Sequence, residues 1–182
     1  MGALRPRQSR HRRGARDAGR MRGIGDDGAH HLEPGAVHMS PTIDSVITGT
    51  RITSGEATAA VLKLDAPVSF WGGIGPEGTI IDVHHPQHGA TVTGRVLVMR
   101  TGRGSSSGTY VLAELIRLGL APAGIILTEP DGIIATGALV AAELYGTQVP
   151  IAVVSASDYD RIEDGESITI TMDGDTAFIA SP

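Results

Sequence analysis

MRTGRGSSSGTYVLAELIRL, residues 99–118, decides the fold of this 182-residue chain. The apolar run that ends at Met99 predicts a buried strand. The segment from Gly102 to Gly108 then contains three glycines and three serines. Beyond it, apolar residues recur at helical spacing as far as Leu118, with charged residues between them. The stretch therefore predicts a strand, a Gly/Ser loop and a helix in succession.

This succession is typical of an anion-binding site. Glycine lets the backbone approach a ligand, the N–H groups of a first helical turn lack partners inside the helix, and the helix dipole favours negative charge there. The hydroxyls of Ser105, Ser106 and Ser107 add movable donors and acceptors. A serine at this position is equally typical of an ordinary helix N-cap, and the stretch alone leaves both interpretations open.

The composition predicts a globular chain with an aliphatic core. Hydrophobic residues make up 41% of the sequence, but they include only two Phe, three Tyr and one Trp. No segment has the length and apolarity of a membrane span, so a membrane is not an expected partner. Because the chain has no cysteine, disulfides, cysteine nucleophiles, thiolate metal sites and cysteine-held iron–sulfur clusters are excluded on this chain.

Charge divides the sequence into two parts. Residues 1–38 carry eight arginines against four acidic residues, whereas residues 39–182 have a net charge of −9. The acidic part argues against nucleic acid as a partner. Residues 1–40 show no apolar periodicity and are predicted to be a disordered basic tail or the product of a mis-called start, with the folded domain over 41–182. A start at Met39 is favoured over a nucleic-acid-binding arm or a transit-like peptide.

Strand and helix patterns alternate between residues 95 and 154. Strands at 96–99, 123–127 and 149–154 enclose one helix that ends at Gly119 and another over 134–145, which predicts a right-handed parallel β-α-β-α-β unit. Strands over 43–52 (broken by Gly49), 57–64 and 79–83 precede it, and a hairpin over 166–179 follows it. The predicted fold class is α/β, a β/β/α domain in which the parallel unit carries an outer β layer.

Two loops outside the parallel unit hold chemically distinctive residues. Residues 68–78 contain four glycines and a proline, and Phe70 and Trp71 at their start are predicted to plug the edge of the core, with the lining of a cleft as the alternative. The loop at 84–89 contains three histidines. Without a second cluster of ligands on a fixed element, a metal site is disfavoured there. A hydrogen-bonded loop with one histidine near a substrate is expected instead.

The Gly/Ser loop does not match the common nucleotide or hydrolase motifs. No lysine follows its glycines, and Ser107 stands where a dinucleotide-binding loop has its third glycine. A hydrolase elbow needs a later histidine, but all seven histidines precede residue 89. A serine here must be activated by the helix dipole, by N–H donors or by a cation such as Arg103. The strand ends would bring residues 102–108, 129–131 and 155–157 to one rim.

Several ordered motifs together resemble the small subunit of the aconitase X family. They are Phe70-Trp71-Gly72-Gly73-Ile74, Asp82 to Pro86 with Gly89, Gly102 to Gly108, Gly137-Ala138, and Glu143-Leu144-Tyr145. The resemblance covers nearly all of residues 47–180. It implies a swivelling β/β/α domain that closes over a large chain holding an iron–sulfur centre. The implied activity is that of a hydro-lyase, and we expect a cytoplasmic protein.

The same resemblance implies site residues. The loop is similar to the Gly-x-Gly-Ser-Ser element of aconitase-like small domains, in which the first serine abstracts a proton. By position that serine is Ser105, with Ser106 and Ser107 as alternatives, because Ser107-Gly108 stands where those domains have Arg-Glu. The residues expected to bind substrate are Arg103, Gly104, Ser106 and Ser107, followed by Trp71, Gly72, Gly73 and His85 at the rim.

Elimination of water beside a carboxylate needs an anion clamp, a base and a Lewis acid. This chain offers the first two, so the expected cofactor, an iron–sulfur cluster, is assigned to the large-subunit partner and none to this chain. Trp71 and the all-serine loop favour cis-3-hydroxy-L-proline, the family's bacterial substrate, over its archaeal one, a phosphorylated mevalonate. A non-catalytic binding or regulatory swivelling domain is the alternative from another class.

Overall fold

A computed structural model of the protein describes residues 45–182. Its elements in chain order are β1 (Ile47–Thr53), β2 (Ala57–Lys63), α1 (Phe70–Gly73), β3 (Val96–Val98), α2 (Ser107–Leu118), β4 (Gly124–Leu127), α3 (Gly132–Tyr145), β5 (Ile151–Val153), α4 (Ala156–Arg161), β6 (Ser167–Asp173) and β7 (Thr176–Ala180). The predicted basic tail or mis-called start over residues 1–40 lies outside the described residues.

The strands form one closed sheet in the order β1-β5-β4-β3-β2-β6-β7. The four neighbours β2, β3, β4 and β5 run parallel, and the other pairings are antiparallel. The predicted β-α-β-α-β unit and the β6–β7 hairpin are confirmed. The outer strands complete the same sheet, because β1 pairs with β5 and β6 pairs with β2, so the parallel unit has no open edge.

Alternation along the buried strands divides the apolar side chains between two clusters. On β3, Val96 and Val98 join a cluster to which all seven strands contribute, whereas Leu97 joins the cluster between the sheet and the helices α2 and α3. The side chains in both clusters are mainly Val, Ile, Leu and Ala, with Phe70 and Tyr159 as the buried aromatics of residues 45–182. The prediction of an aliphatic core is confirmed.

A capping residue marks the end of α2, and another marks the start of α3. At the end of α2, Gly119 adopts the left-handed conformation (φ 71°) and its N–H donates to the carbonyl of Ile116 at 3.0 Å, as the sequence predicts. α3 begins two residues earlier than predicted, because the carboxylate of Asp131 accepts hydrogen bonds from the N–H groups of Ile133 and Ile134 at 2.8 and 3.0 Å. Asp131 is therefore a helix cap.

Three local predictions are wrong. Gly49 does not break its strand but lies inside β1, where a Cβ would stand 2.5 Å from the Val153 carbonyl oxygen of the neighbouring β5. Residues 79–83 form only isolated bridges, Ile74 to Ile80 and Thr79 to Thr91, because the glycine-rich chain around them turns too often for a ladder to extend. Residues 68–78 are not wholly irregular, since they include the kinked turn α1.

Replacement of Asp131 by alanine is expected to lower the free energy of unfolding by about 1 kcal/mol, because two N–H groups of α3 lose their acceptor. Asp131→Asn keeps an acceptor and should recover most of the loss. Urea unfolding followed by circular dichroism measures both variants. Equal stability of wild type and Asp131→Ala would contradict the capping role.

Candidate active site

The Gly/Ser loop follows β3 at the carboxyl end of the parallel strands and leads into the first turn of α2. Ser106 occupies the N-cap position with helical angles (φ −54°, ψ −19°), and its side chain makes no capping hydrogen bond. Ser155 at the start of α4, by contrast, accepts a capping bond from the Asp158 N–H at 3.1 Å. The ordinary N-cap interpretation of the loop serines is therefore wrong for Ser106.

The three serine hydroxyls and their N–H groups are available to a ligand. Ser105 and Ser106 are exposed and Ser107 is half-buried. Within residues 45–182, none of the three hydroxyls and none of the three backbone N–H groups takes part in a hydrogen bond. The carbonyls of Ser105 and Ser106 accept the first bonds of the helix, from Gly108 and Thr109. Donors and the positive end of the helix dipole thus meet at one exposed point.

Two glycines let the loop pass close to its neighbours. A Cβ on Gly102 would collide with the Asp131 carboxylate, and a Cβ on Gly104 would collide with the hydroxyl of Ser69. Gly104 also has a φ of 116°, which L-residues rarely adopt. The loop conformation therefore depends on both glycines, and the predicted proximity of residues 102 and 131 is confirmed.

Arg103 forms an ion pair that the sequence did not predict. Its Nη2 donates to Oδ2 of Asp82 at 2.7 Å, and its backbone N–H donates to the Val68 carbonyl at 3.3 Å. The N–H of His84 donates to the Asp82 carboxylate at 3.0 Å. This hydrogen bond is the main cause that lowers the pKa of Asp82 below its ordinary value of 3.8; Arg103 lowers it further, while burial opposes the shift.

The lowered pKa of Asp82 predicts a pH-dependent contribution to stability. A carboxyl whose pKa is depressed in the folded state stabilises that state above the unfolded pKa, and the contribution disappears as the pH falls through the folded value. We expect wild type to be more stable than Asp82→Asn at neutral pH, with the difference shrinking below about pH 3.8. Thermal unfolding of both proteins across that range tests this, and a difference that grows on acidification would contradict it.

His85 is a buried residue with both ring nitrogens in use. Its Nδ1 accepts from the Gln87 N–H at 3.1 Å, so Nε2 carries the proton and donates to the Ala66 carbonyl at 2.9 Å. The two hydrogen bonds fix the ring, so that it supports the loop at 84–89 from its buried side. Because both ring nitrogens of His85 are hydrogen-bonded within the protein, neither is available to a ligand. The expected place of His85 at the substrate rim stays a prediction.

The adjacent aromatic residues Phe70 and Trp71 have opposite environments. Phe70 is buried in the core, whereas Trp71 is 61% exposed, so the prediction that both plug the core is right for Phe70 and wrong for Trp71. Trp71 and the 77% exposed Tyr110 line an apolar groove of about 460 Å³. The other residues of the groove are Phe70, Gly72, Ile74, Gly75, Pro76, Val111, Glu114, Leu115 and Leu118.

This groove adjoins the first turn of α2. A Cβ on Gly108 would lie 3.9 Å from the backbone nitrogen of Trp71, so α1 packs directly against the residue that follows the three serines. Gly72 is exposed with a φ of 76°, whereas Gly73 is buried against Val68. The structure therefore brings the Trp71 backbone beside Gly108 of the Gly/Ser loop, leaves Gly72 exposed next to Trp71 and places Gly73 beneath the surface. Their role in binding substrate stays a prediction.

Sequence reasoning missed a second cleft, of about 520 Å³, at the ends of β2 and β3. Lys63 Nζ and Arg100 Cζ lie 4.6 and 4.7 Å from the ring centre of Tyr159. Burial is the main cause that raises the pKa of the Tyr159 hydroxyl. No sequence signal links these residues, because they belong to separate elements that only the closed sheet brings together.

The described part of the chain offers no cage for a metal ion or cluster. Among residues 45–182, no three His, Asp or Glu side chains converge as ligands. With no cysteine in the whole sequence, the residues present do not fit an iron–sulfur cluster. Separately, no helix within residues 45–182 is both long and apolar enough to cross a membrane.

Comparison with known proteins identifies relatives over the described region. A family model described as the aconitase X swivel domain matches residues 46–179. Cis-3-hydroxy-L-proline dehydratase of Pseudomonas aeruginosa is 42% identical over 128 residues, which cover 66% of this chain and 22% of that protein. The phosphomevalonate dehydratase small subunit of Methanocella arvoryzae is 35% identical over 135 residues, covering 73% of this chain and 96% of that protein.

The fold has a counterpart among solved structures. The crystal structure of Thermococcus kodakaraensis aconitase X in its holo-form superposes with a TM-score of 0.65 at 29% identity, covering 75% of this chain and 99% of that one. The chain spans about a fifth of the length of the hydroxyproline dehydratases it matches and nearly all of the length of the Methanocella small subunit.

Proposed function

The chain belongs to the aconitase X swivel-domain family, and on that premise we propose that it is the small subunit of an aconitase X-type dehydratase. Its active site would lie where the Gly/Ser loop meets a large-subunit partner. The observation that carries the proposal is the loop itself, in which three serine hydroxyls and their N–H groups stand without protein partners, among residues 45–182, at the start of α2. Such donors suit a substrate carboxylate.

In the proposed reaction, Oγ of Ser105 takes the proton from the carbon beside the substrate carboxylate. The electron pair of that C–H bond becomes the new double bond, and the bond to the hydroxyl breaks so that hydroxide departs. Ser105 acts in its deprotonated form, and the proton that it gains is given up to the departing hydroxide, which leaves as water and returns Ser105 to its starting state. The positive end of α2 and the neighbouring N–H donors favour negative charge at the base and on the carboxylate. Gly104, Ser106 and Ser107 would donate to the carboxylate, with Arg103 beside them.

The departing hydroxyl must be stabilised from outside this chain. An iron–sulfur cluster would supply a Lewis acid for that hydroxyl. The chain has no cysteine, and no three His, Asp or Glu side chains converge within residues 45–182, so we assign the cluster to the large subunit. The apolar groove at Trp71 and Tyr110 supports a partner on this side of the domain. Exposed aromatic residues in an apolar patch are typical of protein interfaces, and this patch adjoins the Gly/Ser loop at Gly108.

For the substrate, we propose cis-3-hydroxy-L-proline. Relatives with this name are 42% and 34% identical to the chain, and relatives named phosphomevalonate dehydratase small subunit reach 35% over 135 residues and 42% over 91 residues, so identity favours neither substrate. The support for the proposal is the resemblance of Trp71 and the all-serine loop to the bacterial hydroxyproline group. The phosphomevalonate dehydratase activity is the alternative. Both substrates present a carboxylate beside the proton to be removed, which is what the loop would recognise.

Co-expression of the chain with the cysteine-bearing large chain of an aconitase X enzyme tests the proposal. The purified complex should dehydrate cis-3-hydroxy-L-proline, and neither chain should do so alone. Turnover of phosphomevalonate instead would favour the alternative substrate. A stable complex without dehydration of either compound would support a non-catalytic regulatory domain, and turnover by this chain alone would overturn the subunit assignment.

A further inference from the structure

We propose that Asp82 is a positioning residue that acts through Arg103, holding its guanidinium beside the Gly/Ser loop so that its remaining N–H groups meet the anionic end of the substrate. The inference rests on the proposed function. Its geometric basis is the 2.7 Å bond between Asp82 Oδ2 and one terminal nitrogen of Arg103. A guanidinium has five N–H donors, so a single bond to Asp82 leaves most of them for a ligand.

Asp82 is itself held in place by backbone donors. One carboxylate oxygen accepts from the His84 N–H at 3.0 Å, and the Asp82 carbonyl accepts from the His85 N–H at 3.0 Å. The other carboxylate oxygen is the one that faces Arg103. A carboxylate fixed in this way can orient a long, flexible side chain, because its own position is already determined.

The segment that carries Asp82 is clamped to the end of β2. His85 Nε2 donates to the Ala66 carbonyl at 2.9 Å, and the Gln87 side chain donates to Asp65 Oδ2 at 2.6 Å. The Asp65 N–H returns a bond to Gln87 Oε1 at 3.3 Å. Residues 82–88 therefore form a brace between the parallel sheet and the Gly/Ser loop, which gives the buried His85 a structural purpose.

The pair differs from the other ion pairs among residues 45–182 in the burial of its acid. The Asp82 side chain is 19% exposed, while the acids of the other four pairs are between 26% and 98% exposed. The acid of the Arg161–Asp158 pair follows at 26%, so the contrast holds against the well-exposed pairs such as Arg51–Asp175. Less solvent means less screening, so Asp82 restrains its arginine more firmly than Asp175 does. Arg103, at 57% exposure, still presents its other side to solvent, where a substrate can reach it.

The test uses Asp82→Asn and Asp82→Glu, with Asp175→Asn as the matched control. Asp175 pairs with Arg51 at 3.3 Å outside the proposed site. In the complex with the large subunit, Asp82→Asn should raise KM about tenfold, the change expected when one charged hydrogen bond is weakened, and alter kcat little. Asp82→Glu should recover part of the loss, and the control should match wild type.

A double-mutant cycle separates positioning from general damage. If Asp82 acts through Arg103, adding Asp82→Asn to Arg103→Gln should change KM no further. In parallel, reaction of Arg103 with phenylglyoxal, followed by peptide mass spectrometry on the full chain, should be several-fold faster in Asp82→Asn. Additive effects in the cycle, or an unchanged labelling rate, would overturn the positioning role. A wild-type complex without dehydratase activity would instead overturn the proposed function, and labelling would still decide whether Asp82 restrains Arg103.

Discussion

Replacing Ser105 by alanine is expected to lower kcat for dehydration by about 10²–10⁴-fold in the complex with the large subunit, the range that a positioned proton acceptor contributes. The complex should remain intact, because the Ser105 side chain is exposed and has no hydrogen-bond partner within residues 45–182. KM should change little, since the backbone donors of the loop remain. Steady-state kinetics with size-exclusion chromatography measure both quantities.

The neighbouring serines provide the comparison. Ser106→Ala and Ser107→Ala each remove a hydroxyl that would donate to the carboxylate, so we expect losses of about tenfold or less, mainly in KM. Ser167→Ala, an exposed serine on β6, should match wild type. A large kcat loss in Ser106→Ala or Ser107→Ala, with Ser105→Ala near wild type, would move the base along the loop. Small losses in all three would remove the serines from catalysis.

The parallel unit could be predicted from sequence because its signals are local. The apolar runs that became β3, β4 and β5 are short, rich in branched side chains and bounded by loop residues, and Gly119 marks the end of α2. The closure of the sheet was harder to predict from the sequence. The bonds between β1 and β5, and between β2 and β6, join segments about a hundred residues apart, and no short pattern specifies them.

The parts of the site that belong to a sequence motif could be predicted. The parts that depend on a single contact between distant residues could not. The same Ser-rich helix start is compatible with a capped helix and with an anion site, and only the structure shows that the Ser106 hydroxyl has no hydrogen-bond partner within residues 45–182. Phe70 and Trp71 differ in burial because the backbone leaves helical angles at Trp71, and Gly72 continues with positive φ. Asp82 and Arg103 are 21 residues apart in the sequence, and no pattern around either residue predicts that they form an ion pair.

Replacing Trp71 by alanine is expected to weaken the affinity for the large subunit by about 30-fold, the effect of losing roughly 2 kcal/mol at an aromatic interface residue. The reason is its position, 61% exposed in the lining of an apolar groove that adjoins the Gly/Ser loop at Gly108. Tyr110→Ala should act in the same direction. Because both residues line one groove, the double variant should lose less affinity than the sum of the two.

Leu139 on α3, 55% exposed and absent from the groove lining, is the matched control for Trp71, and Leu139→Ala should bind the large subunit like wild type. Binding is measured by titrating tagged large subunit with each variant. Because Trp71 is also expected near substrate, KM is determined at saturating large subunit, which separates contact with substrate from contact with the partner. Unchanged affinity in Trp71→Ala and Tyr110→Ala would place the large subunit on another face, and the Gly/Ser loop would then lack the partner that its chemistry requires.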